Sequence, residues 1–279
     1  MTGCGGGYTE AAPASVLHDP AHPTIVSLNP CSDAILAEVT GPGQLLAISD
    51  YSVDPSSTSM DLVRASRYRA ISGSVEEVAA LAPRIVVAGS FLAPATANAL
   101  RELGYRVVTL PIAPDLEAAR RQIRELAQIA GHPELGRSLI GRIDGALARN
   151  APQPGGRPVP ALLWESGGLI AGDETLIADM MRHTGFINFA GARGLAQADF
   201  LPLEQVLADP PRVIFSAGNP LAQEDRMLGH PALAGLRHTM RVPLESSMLW
   251  CGGPTIPRAL DRLAAARREL EQQAEVGAP

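Results

Sequence analysis

Glu76-Glu77-Val78-Ala79-Ala80-Leu81-Ala82-Pro83-Arg84 runs straight into the apolar stretch Ile85-Val86-Val87, and at an offset of 128 Glu204-Gln205-Val206-Leu207-Ala208-Asp209-Pro210-Pro211-Arg212 runs into Val213-Ile214-Phe215. Aligned without gaps, five of the nine positions are identical. A single helix-to-strand corner in any α/β protein can carry this pattern, but two copies in equivalent contexts predict a duplicated lobe. The surroundings repeat more loosely. Ile35-Leu36-Ala37-Glu38 before the first copy resembles Leu176-Ile177-Ala178-Asp179 before the second, and Leu103-Gly104-Tyr105-Arg106-Val107 is echoed by His238-Thr239-Met240-Arg241-Val242.

Outward from the first copy, short apolar runs alternate with helical patterns. Thr24-Ile25-Val26-Ser27-Leu28 reads as a strand that breaks at Asn29-Pro30, with Ser32 or Asp33 able to cap a helix to Val39. Leu45 to Ile48 is a second strand, and a polar loop follows from Ser49 through Ser57. Ser74 and Glu77 have capping-box spacing. The alternation predicts a parallel sheet with helices on both faces. From Asp115 to Arg149 apolar residues recur at helical spacing, interrupted at Gly131-His132-Pro133, and no strand intervenes; this segment is expected to connect two lobes. The expected fold class is therefore α/β, with two Rossmann-like lobes built on parallel central sheets and joined by a long connector helix. Its expected divisions are a flexible tether over 1–22, an N-terminal lobe over 23–113, the connector over 114–150 and a C-terminal lobe over 151–279.

Composition narrows the function. The 279 residues are 46% hydrophobic and 19% charged, which excludes a disordered chain, and no apolar run approaches the roughly 18 to 20 residues of a membrane-spanning helix. A formal charge of −6 without a basic cluster gives no footprint for nucleic acid. All 23 basic side chains are arginine, so a Walker A loop and Schiff-base catalysis are excluded. G-x-S-x-G, H-E-x-x-H and G-x-G-x-x-G spacings are absent, and the six histidines are scattered, so neither an enzyme nor a free-metal site is expected.

The order of these features resembles the periplasmic substrate-binding proteins of iron-siderophore, heme and vitamin B12 ABC importers. The resemblance covers about residues 24 to 270. It includes Ile25-Val26-Ser27-Leu28-Asn29-Pro30, the first glutamate motif, Gly185-Phe186-Ile187-Asn188, Gly229-His230-Pro231-Ala232-Leu233, and Gly253-Pro254 before a final helix. It implies a ligand held between two lobes, little closure because the connector is rigid, and docking on a dimeric ABC permease through one glutamate per lobe. Carried over by motif, those are Glu76 and Glu204. Each is also explained as a helix N-terminal charge that complements the helix dipole. It further implies a monomer in the periplasm with no cofactor of its own. Met1-Thr2-Gly3-Cys4, followed by three glycines, resembles the end of a bacterial lipoprotein signal, so lipidation at Cys4 is an expectation, beside a plain glycine-rich terminus.

In such a fold the ligand is expected at loops that follow strand carboxyl ends. The segments so placed are Asn29 to Ser32, Asp50 to Ser52, Gly89 to Phe91, Trp164 to Gly168, Ala217 to Asn219 and Leu249 to Gly253, and within them Asn29, Pro30, Cys31, Ser32, Tyr51, Ser52, Ser90, Phe91, Trp164, Trp250 and Cys251 are the expected contacts. Tyr51 and Trp250 offer flat faces to a large ring. Tyr51-Ser52 resembles the corresponding stretch of vitamin B12 binders, so cobalamin or another corrinoid is the expected ligand. Heme and ferric siderophores stay open; Arg64, Arg67, Arg69 and Arg193 are candidates for gripping an anionic chelate. Cys31 and Cys251 are expected as ordinary buried thiols, with a disulfide or a metal ligand as the alternatives. An enzyme related to two-lobed metallocofactor proteins is the reading outside the importer class.

Overall fold

Ile25, Val26 and Ser27 form a strand, β1 (Ile25–Ser27), that is buried on both faces, as the centre of a parallel sheet requires. It lies between β2 (Leu45–Ser49) and β4 (Ile85–Gly89), with β3 (Ala70–Ile71) and β5 (Arg106–Leu110) at the edges, giving the order β3-β2-β1-β4-β5 with every pair parallel. The computed structural model describes residues 21–218, 223, 225, 226 and 228–276. Cys4, the expected tether up to residue 20, and Asn219 lie outside these residues.

The second sheet repeats the first. It contains β6 (Val159–Glu165), β7 (Leu169–Ile170), β8 (Phe186–Asn188), β9 (Asp199–Phe200), β10 (Val213–Ala217) and β11 (Met240–Pro243). Its path is β11-β10-β6-β7-β9, so β6, β10 and β11 occupy the places of β1, β4 and β5. β6, β8, β10 and β11 pair in parallel, but β7 is antiparallel to both β6 and β9, which makes this sheet mixed at one side. The two glutamate motifs fall on α3 (Val75–Leu81) and α8 (Leu203–Ala208), which lead into β4 and β10.

Helices cover both faces of each sheet. On the outer face of the first sheet, Val26, Val86 and Ile71 pack with Val78 of α3 and Leu100 of α4 (Pro94–Glu102). On the outer face of the second, Leu162, Trp164 and Ile214 pack with Val206 of α8 and Leu233 of α9 (Pro231–Ala234). The inner faces share a single core. It joins α1 (Pro30–Val39), α5 (Leu116–Ala130), α6 (Pro133–Arg149), α7 (Leu176–His183) and α10 (Ile256–Val276) through Leu36, Ile123, Leu139, Met180 and Leu263. α2 (Leu62–Ala65) lies between β2 and β3 in sequence, and Arg64 on it pairs with Glu38 of α1.

The connector is two helices rather than one. Gly131, at φ 82°, ends α5 in the left-handed region that glycine enters at least cost, and Pro133 opens α6. The two run antiparallel against each other. Arg120 meets Asp144 at 2.5 Å, and a Cβ on Gly136 would lie 2.5 Å from that of Ala127. The sequence showed the break; it did not show that the second helix folds back, because that direction is set by which faces pack.

Candidate functional site

β1, β4 and β5 end on one side of the first sheet, β6 and β10 end toward the same cleft, and the chain enters loops there. Between the lobes lies a cavity of about 630 Å³, within the ordinary range for a ligand pocket. A larger hollow, about 930 Å³, lies at the opposite ends of β4 and β5, against α5. The interlobe cavity is the stronger candidate, because open α/β sheets bind ligands beyond strand carboxyl ends.

The N-terminal lobe supplies Asn29, Ser90, Phe91 and the apolar turn Leu110 to Pro114. Asn29 caps α1, its Oδ1 accepting from the backbone N–H of Cys31 at 3.0 Å and of Ser32 at 3.2 Å. Its Nδ2 then lies beside Gly89, where a Cβ would come within 2.5 Å. Phe91 is 82% exposed and Ile112 68%, apolar surface held open on the cavity wall.

The C-terminal lobe supplies Glu165, Glu174, Thr175, Gln197 and Trp250, the last 50% exposed. Along β6 side chains alternate: Leu162 and Trp164 face the outer core, Leu163 faces the shared inner core, and Glu165 ends the strand on the cavity wall. Burial pushes the Glu165 carboxyl above the ordinary glutamate range. The turn after it is fixed by Asp225, whose Oδ1 accepts from Ser166 Oγ at 2.6 Å and from the Gly167 N–H at 2.8 Å. Glu174 accepts from Gln197 Nε2 at 3.2 Å.

The lobes meet behind the cavity. Cys31, in the first turn of α1, is disulfide-bonded to Cys251, with Cα atoms 4.9 Å apart. This corrects the expectation of ordinary thiols, and a sulfur in a disulfide is no metal ligand. Beside it a Cβ on Gly252 would lie 2.8 Å from Ala119 Cβ, and one on Gly253 would lie 2.9 Å from Ile35 Cγ1. The backbone after Cys251 thus approaches both the connector and α1 more closely than a larger residue allows.

Of the residues singled out from sequence, Asn29, Cys31, Ser90, Phe91 and Trp250 line the cavity. Others have different places. Trp164 is buried in the outer core of its sheet, which corrects its assignment to the ligand. Ser32 is fully buried and paired with Ser27 Oγ at 2.7 Å, and Ser52 is fully buried and donates to Asp33 Oδ2 at 2.7 Å; both hold the N-terminal lobe together rather than face a ligand. Pro30 opens α1, Cys251 sits in the disulfide, and Tyr51, 61% exposed, stands outside the lining. None of the four arginines weighed for an anionic chelate lines the cavity. Arg64 pairs with Glu38, while Arg193 pairs with Asp209 and stacks on Phe189. Glu165 falls inside the segment expected at the cleft over Trp164 to Gly168 without being singled out within it, and nothing local marks Glu174.

Among the described residues no group of three or more histidine, cysteine or carboxylate side chains is placed to hold a metal ion, and no helix is long and apolar enough to cross a membrane.

A family model described as "Periplasmic binding protein" matches residues 25–239. No curated protein matches the sequence significantly. Among solved structures, the chain is similar to the apo form of the periplasmic heme-binding protein RhuT from Roseiflexus sp. RS-1, with 22% identity, a TM-score of 0.72, and coverage of 89% of this chain and 99% of that one. It is similar to the periplasmic vitamin B12 binding protein BtuF of Vibrio cholerae at 18% identity and TM-score 0.67, covering 89% and 97%. It is also similar to CeuE of Helicobacter pylori in complex with Ni-His, at 19% identity and TM-score 0.67, covering 91% and 85%. At these identities the likeness establishes the fold.

Proposed function

Because the chain belongs to the periplasmic binding protein family, we propose that it is the substrate-binding component of an ABC importer that captures a large metal chelate between its lobes, a corrinoid such as cobalamin in preference to heme or a ferric siderophore. One observation carries this reading: Phe91 and Ile112 from one lobe and Trp250 from the other stay exposed on facing sides of one cavity. Flat apolar side chains on two walls suit a large ring bound between them. The polar groups around them, Asn29, Gln122 and Gln197 with the hydroxyls of Ser90 and Thr175, match the amide-rich rim of a corrinoid. Heme carboxylates and anionic siderophores call for cations, and no arginine lines the cavity.

The ligand is captured and returned unchanged, as in a binding protein rather than an enzyme. Transfer is proposed to use Glu76 and Glu204, which are exposed, sit in the first turns of α3 and α8, and have no ion-pair partner among the described residues. Glu77 beside Glu76 is instead occupied in the capping box with Ser74. β3 and β9 end at the cleft side of their sheets, so both docking helices begin there. A permease meeting both glutamates would face the cleft mouth, and its own two-fold symmetry would match the duplicated lobes. A periplasmic location accords with the family and with the disulfide. A lipid anchor at Cys4 and a monomeric state belong to the same proposal.

The test is titration of the purified protein with cyanocobalamin, hemin and a ferric siderophore panel, followed by tryptophan fluorescence and thermal shift. Saturable corrinoid binding that raises Tm supports the reading. Binding of hemin or a siderophore alone keeps the importer class and overturns the corrinoid, and binding of none overturns the metal-chelate ligand.

A further inference from the structure

Among the described residues that line the cavity, Glu165 and Glu174 carry the charged side chains and the other polar groups are neutral. Residues outside the described set cannot supply a compensating arginine or lysine, since 1–20, 219–222, 224, 227 and 277–279 contain neither. Both carboxylates are held in place. Asp225 fixes the turn that follows Glu165, and Gln197 holds Glu174. Among the described residues no hydrogen bond or ion pair reaches the Glu165 carboxyl group, and burial disfavours its ionised form. A half-buried carboxylate left without a donor is offset when a ligand brings positive charge to it, and an anion placed there meets repulsion that poor solvation strengthens.

We infer that Glu165 and Glu174 set the charge of the ligand: the cleft selects a metal chelate of net positive charge and rejects anionic chelates of the same size. Asn29 and Ser90, on the opposite wall, then contact neutral parts of the ligand. This rests on the cleft being the metal-chelate site but not on the ring being a corrin, since the two carboxylates act on charge whatever ring carries it.

The experiment compares ligands matched in ring and different in charge, on the oxidised full chain at neutral pH. One pair is aquacobalamin, a monocation while its axial water is intact, against neutral cyanocobalamin. The other is an iron porphyrin bearing cationic N-methylpyridinium groups against hemin, whose propionates are anionic. The more cationic member of each pair that binds is expected to be favoured about tenfold. That preference is expected to shrink with added salt and to fall within twofold in the Glu165→Gln, Glu174→Gln double variant, whose Tm checks that it is folded. Equal affinities, a preference for the less cationic member, or a preference that survives the double variant overturns the charge rule. If corrinoids fail and the cationic porphyrin binds by this rule, the corrinoid reading falls and the charge rule stands; if no ring binds, both fall.

Discussion

The two lobes share a sheet order and differ at the edge where the ligand is expected. In the N-terminal lobe β1 passes to α1 through Leu28 and Asn29, and Asn29 spends its carbonyl oxygen on capping the helix. In the C-terminal lobe β6 ends at Glu165, and ten residues, including the antiparallel β7, precede α7. That excursion brings Glu174 and Thr175 to the cavity. The duplicated strands thus fix the frame, while the unequal connections make one wall neutral and the other acidic. A second contrast lies deeper. The N-terminal lobe buries the carboxyl group of Asp33 among Ser27, Ser49 and Ser52, whereas the inner face of the other sheet buries a neutral amide, Asn188, with both ends hydrogen-bonded to backbone.

The largest break in this comparison should come from parting the lobes. Replacing both Cys31 and Cys251 with serine is expected to cost about 2–5 kcal/mol, because the bond closes a very long loop. A single unfolding transition should fall by about 5–10 °C and, if the lobes differ in stability as their interiors suggest, split in two by calorimetry. An unchanged transition would show that the shared core alone couples them.

Next comes a pH effect confined to the N-terminal lobe. Burial pushes the Asp33 carboxyl up to about 8 from 3.8, outweighing its hydrogen bonds to Ser27, Ser52 and the Ser49 N–H, with the nearby Asp50 charge adding to the rise. Between these values the folded state holds a proton that the unfolded state has lost. Stability from this group is therefore complete below about pH 4 and declines as pH rises toward 8, by up to about 1.4 kcal/mol per pH unit. Denaturant midpoints at pH 5, 6 and 7 should fall steadily in the wild type and stay flatter in Asp33→Asn; parallel slopes would contradict this.

Smaller effects separate the two cavity walls. Phe91→Ala and Trp250→Ala are each expected to weaken binding of the preferred ring about tenfold, near the ~1.4 kcal/mol that a lost aromatic contact costs. Tyr51→Ala, outside the lining, should stay within twofold by isothermal titration. If Tyr51→Ala had the larger effect, the ligand would extend beyond the cavity described.

The smallest effect compares the two copies of the glutamate motif. Ala82 ends α3 at φ 44°, a left-handed conformation that costs an L-residue about 1 kcal/mol, whereas Asp209 ends α8 at φ −141°. Ala82→Gly should raise stability by about 0.5 kcal/mol, less than the relieved strain because glycine gains freedom when unfolded. Asp209→Gly should give no gain. Matched urea titrations distinguish them.

Much of the frame was legible because it is local. The copied E-x-V-x-A pattern located α3 and α8, the Ser74 and Glu77 spacing located a capping box that forms, and Gly131-His132-Pro133 located the connector's break. What sequence hid depends on contacts between distant segments. The Cys31–Cys251 pairing needs a separation in space, the return of α6 along α5 needs the packing of faces, and the antiparallel β7 carries too few residues to show a direction. Trp164 misled because β6 is apolar on both faces, so nothing local distinguished a strand end facing the cleft from one buried behind it.

The Cys31–Cys251 bond also makes the molecule a covalent ring. β2 through β11, the helical hairpin and both copies of the glutamate motif lie on the closed circuit, while β1 and α10 hang from its junction. A protease that cuts any one loop of the circuit opens the ring without dividing the molecule. A nicked protein should therefore migrate as one species in non-reducing electrophoresis and as two fragments after reduction. Damage at a single surface loop would leave both halves tethered at the back of the cavity, where they can pack together again.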